Sequence, residues 1–343
     1  MTKITEYLEI ILEGNDLTFE QAQKLLDTIF EGDVSEVQIA AFLAAMRVKK
    51  AAVSELAGLA TSLRNHAVKV EAGIENLVDT CGTGGSKQKT FNISTAAAIV
   101  AAGAGVYVAK HGNRGITSKC GSADVLAELG VNIQASPKII ARCIRETHIG
   151  FMFAPLFHPA MKHVQPIRQS LDFRTAFNVL GPLANPAGAK LQIIGVSEES
   201  LCQRMVQTLK LLGAVRTMVV CSGGFDEIST MNPTTIYQLE NGSITQKEIN
   251  AADYGLEKAC LDELKGGDVK TNAKIITDII TGKERGKRRD IVLLNAAAAI
   301  IISGLAKDFG SSLLKAAESI DSGNAKKCLE KLIKISNENV KET

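Results

Sequence analysis

Four short stretches of this sequence carry residue types that can do chemistry. The first runs from Asp79 to Thr95 and holds Gly82, Thr83, Gly84 and Gly85, then Asn92, Ile93, Ser94 and Thr95. Three glycines in four positions let the backbone approach an anion closely, and successive N–H groups can form a nest for phosphate oxygens. Ser94 and Thr95 fall at a predicted helix start, where the dipole and free N–H groups favour the same charge. A glycine turn closing onto a capped helix would use the same glycines. The NIST segment (92–95) tips the reading towards phosphate, although neither GxxxxGK[ST] nor GxGxxG fits.

The second stretch is Lys110, His111, Gly112, Asn113, Arg114 and Gly115, continuing through Ile116, Thr117, Ser118, Gly121 and Ser122. Lys110 offers a point charge, the Thr117, Ser118 and Ser122 hydroxyls offer polar contacts, and Gly121 leaves a backbone donor accessible. His111 reads equally as a packing histidine or a ligand. The third stretch, Gly223 to Glu227, places Asp226 beside Glu227. Adjacent loop carboxylates can converge on a hard cation such as Mg²⁺, which keeps waters and bridges to phosphates. The fourth is Arg168, which can reach across a cleft and grip a carboxylate with both arms of its fork. Arg174 competes for that role, or is the partner of a structural acid.

Particular elements must position these residues. The first 70 or so residues read as four helices, with a capping box at Thr18 and Gln21, a cap at Ser35 and a helix opened by Ser54. After about residue 72 short apolar runs alternate with helical ones. Strands are predicted at 77–80, 106–110, 151–154, 191–196 and 217–221, and Asn241-Gly242 marks a hairpin. Each of the first three stretches follows a predicted strand, the edge where open α/β sheets bind ligands. Residues 159–178 break the alternation and end in a Gly181-Pro182 turn. They can pack back on the N-terminal helices and leave a cleft between two domains. The fold class is therefore α/β. A small helical domain (1–70, completed by about 159–185) joins a larger domain (71–343) whose mainly parallel central sheet is flanked by helices.

Composition excludes several other classes. The chain has 343 residues and is 45% hydrophobic, enough for a substantial core. Its 39 basic and 37 acidic residues give a net charge of +2, which argues against a dedicated nucleic-acid binder. The basic run at 282–290 has no interleaved aromatic residue and reads as a solvated loop. Seven cysteines without CxxC or CxxH spacing read as reduced thiols in a cytoplasmic protein. The apolar stretches 93–109 and 291–306 fall short of the ~20 residues that span a bilayer and read as buried elements.

Taken in order, GTGG…TFNIST, VAKHGNRG…GSAD, FAPLFHPAM, RTAFNVLGPLANP and GGFDEIS make the whole chain resemble the anthranilate phosphoribosyltransferases, whose fold is shared with pyrimidine nucleoside phosphorylases. The resemblance implies transfer of the 5-phosphoribosyl group from phosphoribosyl pyrophosphate to the amine of anthranilate, a step of tryptophan biosynthesis. It implies donor contacts from Gly82, Gly85, Ser86, Thr90, Asn92, Ile93, Ser94 and Thr95, from the loop Lys110, His111, Gly112, Asn113, Arg114, Gly115, Ile116, Thr117 and Ser118, and from Ser122. Gly82, Asn113 and Arg168 would hold anthranilate, and His111, Pro155, His158 and Pro182 would line its route. Ser94, Asp226 and Glu227 would hold Mg²⁺, two ions per subunit, in a homodimer joined through the helical domain. No covalent nucleophile, membrane or nucleic acid is implied. The alternatives are transfer to another aromatic acceptor, phosphorylase-type chemistry, or a non-catalytic nucleic-acid-binding relative. Two positions depart from the family pattern: Ser86 stands where the family has Asp, and Asp172 where it has glycine.

Overall fold

The computed structural model describes residues 3–86, 88–115 and 119–338. Four helices come first: α1 (Lys3–Leu12), α2 (Phe19–Glu31), α3 (Glu36–Lys49) and α4 (Val53–Asn65). Thr18 with Gln21 and Ser35 with Gln38 form capping boxes at the starts of α2 and α3. Ser54 does not open α4. The N-cap is Ala52, whose N–H donates to Glu55 Oε2 at 2.7 Å, while Ser54 Oγ donates to Leu17 O at 2.9 Å. Glu55 is buried and also accepts from Leu17 N at 3.0 Å and Lys49 Nζ at 2.9 Å. A buried carboxylate keeps its charge only with such partners, and here the helix start supplies one of them.

The alternating region follows as β1 (Val78–Gly82), α5 (Ile93–Gly103), β2 (Val108–Gly112), α6 (Ser122–Glu128), α7 (Pro137–Thr147) and β3 (Ile149–Phe153). A helical interlude comes next: α8 (Ala154–Phe157), a tight 3₁₀ turn over Pro159–His163, α9 (Gln165–Leu171) and α10 (Phe177–Leu183). The chain returns to the sheet with β4 (Leu191–Gly195), α11 (Glu199–Leu211), β5 (Arg216–Cys221) and the hairpin β6 (Thr234–Glu240) and β7 (Ser243–Ile249). Asn241 and Gly242 both have positive φ, 50° and 73°, as the tight hairpin turn requires. Five helices close the chain: α12 (Leu261–Leu264), α13 (Val269–Ile280), α14 (Lys287–Ser303), α15 (Phe309–Asp321) and α16 (Asn324–Ser336).

The seven strands form one sheet in the order β3-β2-β1-β4-β5-β6-β7. The strands β3 to β5 in that order are parallel, and the hairpin adds an antiparallel edge. The chain runs outward from β1 through β2 to β3, then crosses to the far side of β1 as β4. The carboxyl ends of β1 and β4 therefore flank the switch point, where open α/β sheets take their ligands. Behind the sheet, α5 and α14 are almost wholly buried, which explains both apolar stretches. Among the described residues no helix is long and apolar enough to cross a membrane.

The expected turn at Gly181-Pro182 is not found. Helix α10 runs through Pro182, and the break falls earlier, at Asp172 with φ 47°. Pro182 removes only one hydrogen bond this close to a helix end. The carbonyls there are taken by side chains, Pro182 O by Gln192 Nε2 at 2.7 Å and Leu183 O by Arg64 Nε at 2.7 Å. The interlude packs back on the first helices: Val164, Ile167, Phe177 and Leu180 share one apolar cluster with Leu25, Phe42 and Leu56. That cluster also takes in Ile194, Met205 and Val219, so the helices are seated on one face of the sheet.

Candidate functional site

The loops after β1, β2 and β5 meet the interlude around a single cavity of about 850 Å³. Most of the residues singled out from the sequence line it. They are Gly82, Gly85, Asn92, Ser94 and Thr95 from the first loop and Lys110, His111, Gly112, Asn113, Arg114, Gly115 and Ser122 from the second, with Asp226, Glu227 and Arg168. Pro155, His158 and Pro182 line it as well. Ser86, Thr90 and Ile93 do not. Ser86 Oγ accepts from Gln88 N at 3.2 Å, Thr90 forms a β-bridge with Lys265, and Ile93 is buried in the core. Ile116, Thr117 and Ser118 lie outside the described residues.

The glycine loop is shaped by close contacts. A side chain on Gly195 would meet Asp226 O at 1.7 Å, and one on Gly82 would lie 3.1 Å from Asp226 Oδ2. These two glycines let the Asp226 loop settle on the ends of β1 and β4. Gly85 has φ +86°, and a Cβ there would lie 1.9 Å from Arg174 Nη1. Arg174 lines the cavity, its charge favours ionisation of Asp226, and it forms no salt bridge among the described residues. Its Nη2 donates to Thr83 O at 3.2 Å and Gly84 O at 2.8 Å, tying the interlude to the glycine loop.

Asp124 organises the second loop. Its Oδ2 accepts from Gly115 N and Gly121 N, both at 2.9 Å, and its Oδ1 from Arg114 Nη1 at 2.9 Å. Burial opposes the charge, but those donors hold the Asp124 carboxyl below the usual carboxylate range. Asn92 donates to Cys120 O at 3.2 Å and accepts from Asn272 Nδ2 at 3.0 Å, joining the first two loops to α13. The sequence signal for Asp124 was the GSAD stretch, and its place at the N-terminal turn of α6 was the missing clue.

The floor is charged. Lys110 is buried, with Nζ donating to Thr80 O at 2.5 Å. Burial lowers its pKa, while Asp79, Cys81 and Glu227 favour its charge. Burial pushes the carboxyls of Asp226 and Glu227 up, and the neighbouring Asp226 charge carries Glu227 to about 8. Lys110 and the Ser94 backbone offset this only in part. Two buried carboxyls, the first of which suppresses ionisation of the second, fit a hard divalent cation, which cancels the repulsion. No cluster of three or more His, Cys, Asp or Glu able to hold a metal occurs among the described residues. Waters and ligand oxygens would complete the coordination.

The opposite wall is mostly apolar. Arg168 lies over the Phe177 ring at 5.5 Å and donates to Gln165 Oε1 at 3.2 Å and Asn178 Oδ1 at 3.5 Å. Burial lowers its pKa, and it forms no ion pair among the described residues. His111 and His158 face each other, ring centroids 5.0 Å apart. Burial holds both neutral, His111 down to about 3, with the His158 charge adding, and His158 down to about 4. The Gly181 backbone lies near His111, and those of Leu63 and Ala184 near His158. None meets hydrogen-bond geometry, so His111 Nε2 and both His158 ring nitrogens have no partner among the described residues.

Residues 5–67 match the helical bundle domain of the glycosyl transferase family, and residues 74–326 match its a/b domain. An anthranilate phosphoribosyltransferase of Rubrobacter xylanophilus is 46% identical over 334 residues, 97% of this chain and 97% of that one. This chain belongs to the anthranilate phosphoribosyltransferase family. The crystal structure of the Thermus thermophilus anthranilate phosphoribosyltransferase superposes with TM-score 0.92 at 36% identity, covering 96% of this chain and 99% of that one. The Saccharomyces cerevisiae enzyme, solved in complex with PRPP and Mg, gives TM-score 0.89 at 29% identity over 97% of both chains. The same yeast enzyme is known in complex with 4-fluoroanthranilate, with TM-score 0.87, 28% identity and 97% of both chains covered.

The two departures from the family pattern now have positions. Asp172 sits in the left-handed region, φ 47° and ψ 28°, at the end of α9. This is why a glycine suits the position, and Asp is among the few other residues that adopt the conformation. Asp172 is exposed and forms no ion pair with Arg168, so the guanidinium keeps its charge for the cavity. Ser86 lies beyond the cavity wall, bonded within its own turn.

Proposed function

We propose that this chain transfers the 5-phosphoribosyl group of phosphoribosyl pyrophosphate to the amine of anthranilate, giving N-(5′-phosphoribosyl)anthranilate and pyrophosphate. One observation carries the reading. A single cavity has a glycine nest, Lys110 and two carboxylates at one end and, at the other, a half-buried arginine with no ion pair among the described residues. The first end suits a pyrophosphate with its cation, and the second suits an aromatic carboxylate.

Each group has a task in that chemistry. Asp226, Glu227 and Ser94 would hold Mg²⁺, two ions per subunit. Bound Mg²⁺ supplies positive charge against the departing pyrophosphate. The N–H groups of Gly84 and Gly85 and the Lys110 ammonium would stabilise the same developing charge. Asn92 and Ser122 hold their loops in register for the donor. Arg168 receives the anthranilate carboxylate, and Asn113 and Gly82 stand where the two substrates meet. Holding the amine behind C1′ of the ribose supplies the proximity term. The amine is aniline-like and already neutral, so no strong base or covalent nucleophile is required. Neutral His111 and His158 leave the cationic side chains of that wall, Arg168 foremost, to meet the acceptor's carboxylate.

The helices α1 to α4 with the interlude form one domain and the remainder the other. We read the protein as a cytoplasmic homodimer joined through the helical domain. Leu12, Val37 and Val48 stand on that domain at 71%, 79% and 84% exposure, apolar surface that a second copy would cover. The experiment that tests the activity follows anthranilate fluorescence with purified protein, phosphoribosyl pyrophosphate and Mg²⁺. Loss of signal that needs all three supports the reading. No loss with folded protein rejects it.

A further inference from the structure

Within the one sheet, the ladder between β1 and β2 is cut short. β1 pairs with β4 along its whole length, and β2 pairs likewise with β3. Between β1 and β2 the register holds only at Val78 and Val108, where Val78 N donates to Tyr107 O at 2.8 Å. Beyond that point side chains take the backbone groups that a parallel ladder would use. Ala109 O accepts from Asn185 Nδ2 at 2.8 Å. Thr80 O accepts from Lys110 Nζ at 2.5 Å. His111 N donates to Asp79 Oδ1 at 3.2 Å. All four side chains are nine-tenths or more buried: Asp79 0%, Lys110 2%, Asn185 3% and Thr80 4% exposed.

We propose that Asp79 and Asn185 are positioning residues that hold β1 and β2 apart at their carboxyl ends, so that Lys110 is turned between them towards the cavity floor. A continuous ladder would give Thr80 O and His111 N to each other's strand. The Lys110 ammonium would then lose its anchor beneath Asp226 and Glu227. Neither Asp79 nor Asn185 lines the cavity, so they act on the substrate only through Lys110 and the loop that follows it. Burying a carboxylate on a central strand is costly unless its partners are arranged for it. The arrangement places a second charge, Lys110, on the neighbouring strand. Asn185, on the chain that returns from the interlude to β4, completes the opening from outside both strands.

The proposal rests on the reading of this end of the cavity as the donor site. Binding of phosphoribosyl pyrophosphate with Mg²⁺ is measured by calorimetry for the intact protein and for Lys110→Met, Asp79→Asn and both together. Asp79→Asn replaces the charged acceptor of His111 N with a weaker amide oxygen and removes the charge that favours the Lys110 ammonium. Each single variant is expected to weaken donor binding about tenfold, the size of one lost hydrogen bond to a charged group. The decisive result is non-additivity: the double variant binds no more weakly than Lys110→Met alone, and the anthranilate KM stays unchanged. Losses that multiply, or an unaltered donor affinity in folded Asp79→Asn, overturn the proposal. Should Asp79→Asn fail to fold, Asn185→Leu carries the same cycle, because it leaves the Asp79 contact to His111 in place. An intact protein that binds no donor rejects the donor reading itself, and the proposal falls with it.

Discussion

The two ends of the cavity are built by opposite means. The end we assign to the phosphoribosyl donor stands on strand ends and uses backbone: a glycine nest, a helix start, and loops pinned by Asp124, Asn92 and Arg174. The end we assign to the acceptor stands on three short helices interrupted at Asp172 and sets polar side chains, Arg168 among them, between apolar ones. A rigid sheet edge suits a highly charged ligand whose charge must be met at fixed points. A set of short packed helices suits a flat, mostly apolar ligand with one carboxylate. The contrast also separates two kinds of damage, loss of charge at one end and loss of a single anchor at the other.

The most severe test of the contrast removes the donor end's carboxylates. Asp226→Ala and Glu227→Ala should each lower kcat by about 10²–10³, the scale on which fixed electrostatic groups act, and should alter the Mg²⁺ dependence. Steady-state rates across a Mg²⁺ titration check this, and an unchanged titration removes the pair from the metal site. At the acceptor end, Arg168→Ala should raise the anthranilate KM by about 10- to 100-fold, as expected for hydrogen bonds to a charged group, with the donor KM little moved. Equal rises in both constants would erase the division between the ends.

Proton linkage gives a third measurement. Glu227 titrates near 8 without a cation, well above its unfolded value, so the folded protein binds the extra proton. Stability without metal should therefore fall as pH rises towards 8 and level off above it, while Mg²⁺ binding should tighten over the same range. His111 and His158 work in the other direction. Their folded values, about 3 and about 4, lie below the unfolded value, so the unfolded chain takes up protons first on acidification. Their contribution is complete above about pH 6.5 and is lost as pH falls towards 4, by up to about 1.4 kcal/mol per pH unit for each ring. Thermal melts from pH 5 to pH 9, with and without Mg²⁺, resolve both trends. The smallest effect is expected from Gly85→Ala. The positive φ and the Arg174 contact should cost about 1 kcal/mol or somewhat more, with a modest rise in donor KM.

The same contrast explains what could be read from the sequence. The donor end was legible because its groups are contiguous: GTGG with NIST, the KHGNRG stretch, and the Asp226-Glu227 pair each sit directly after an apolar strand pattern. Alternation of strands and helices likewise gave the parallel sheet, and Asn241-Gly242 gave the hairpin. The acceptor end was less legible because its parts are brought together by packing. The break at Asp172 and the passage of α10 through Pro182 depend on Gln192 and Arg64, residues distant in the chain. Ser54 has the residue type of a cap, but the acceptor at the start of α4 is Glu55, which owes its place to Leu17 and Lys49. Arg174 lines the cavity as a competing ligand should, but nothing in its neighbours along the chain announces that the backbone carbonyls of Thr83 and Gly84 also hold it.

That last contact has a consequence for how the two ends respond to ionic strength. Arg174 joins them by gripping the neutral carbonyls of Thr83 and Gly84. Mobile ions weaken attraction between exposed charges, but a guanidinium bonded to neutral peptide carbonyls has no opposite charge for them to screen. Concentrated salt should therefore loosen the hold on a charged substrate well before it parts the walls of the cavity. The protein would lose its ligand and keep the shape of the place where the ligand belongs.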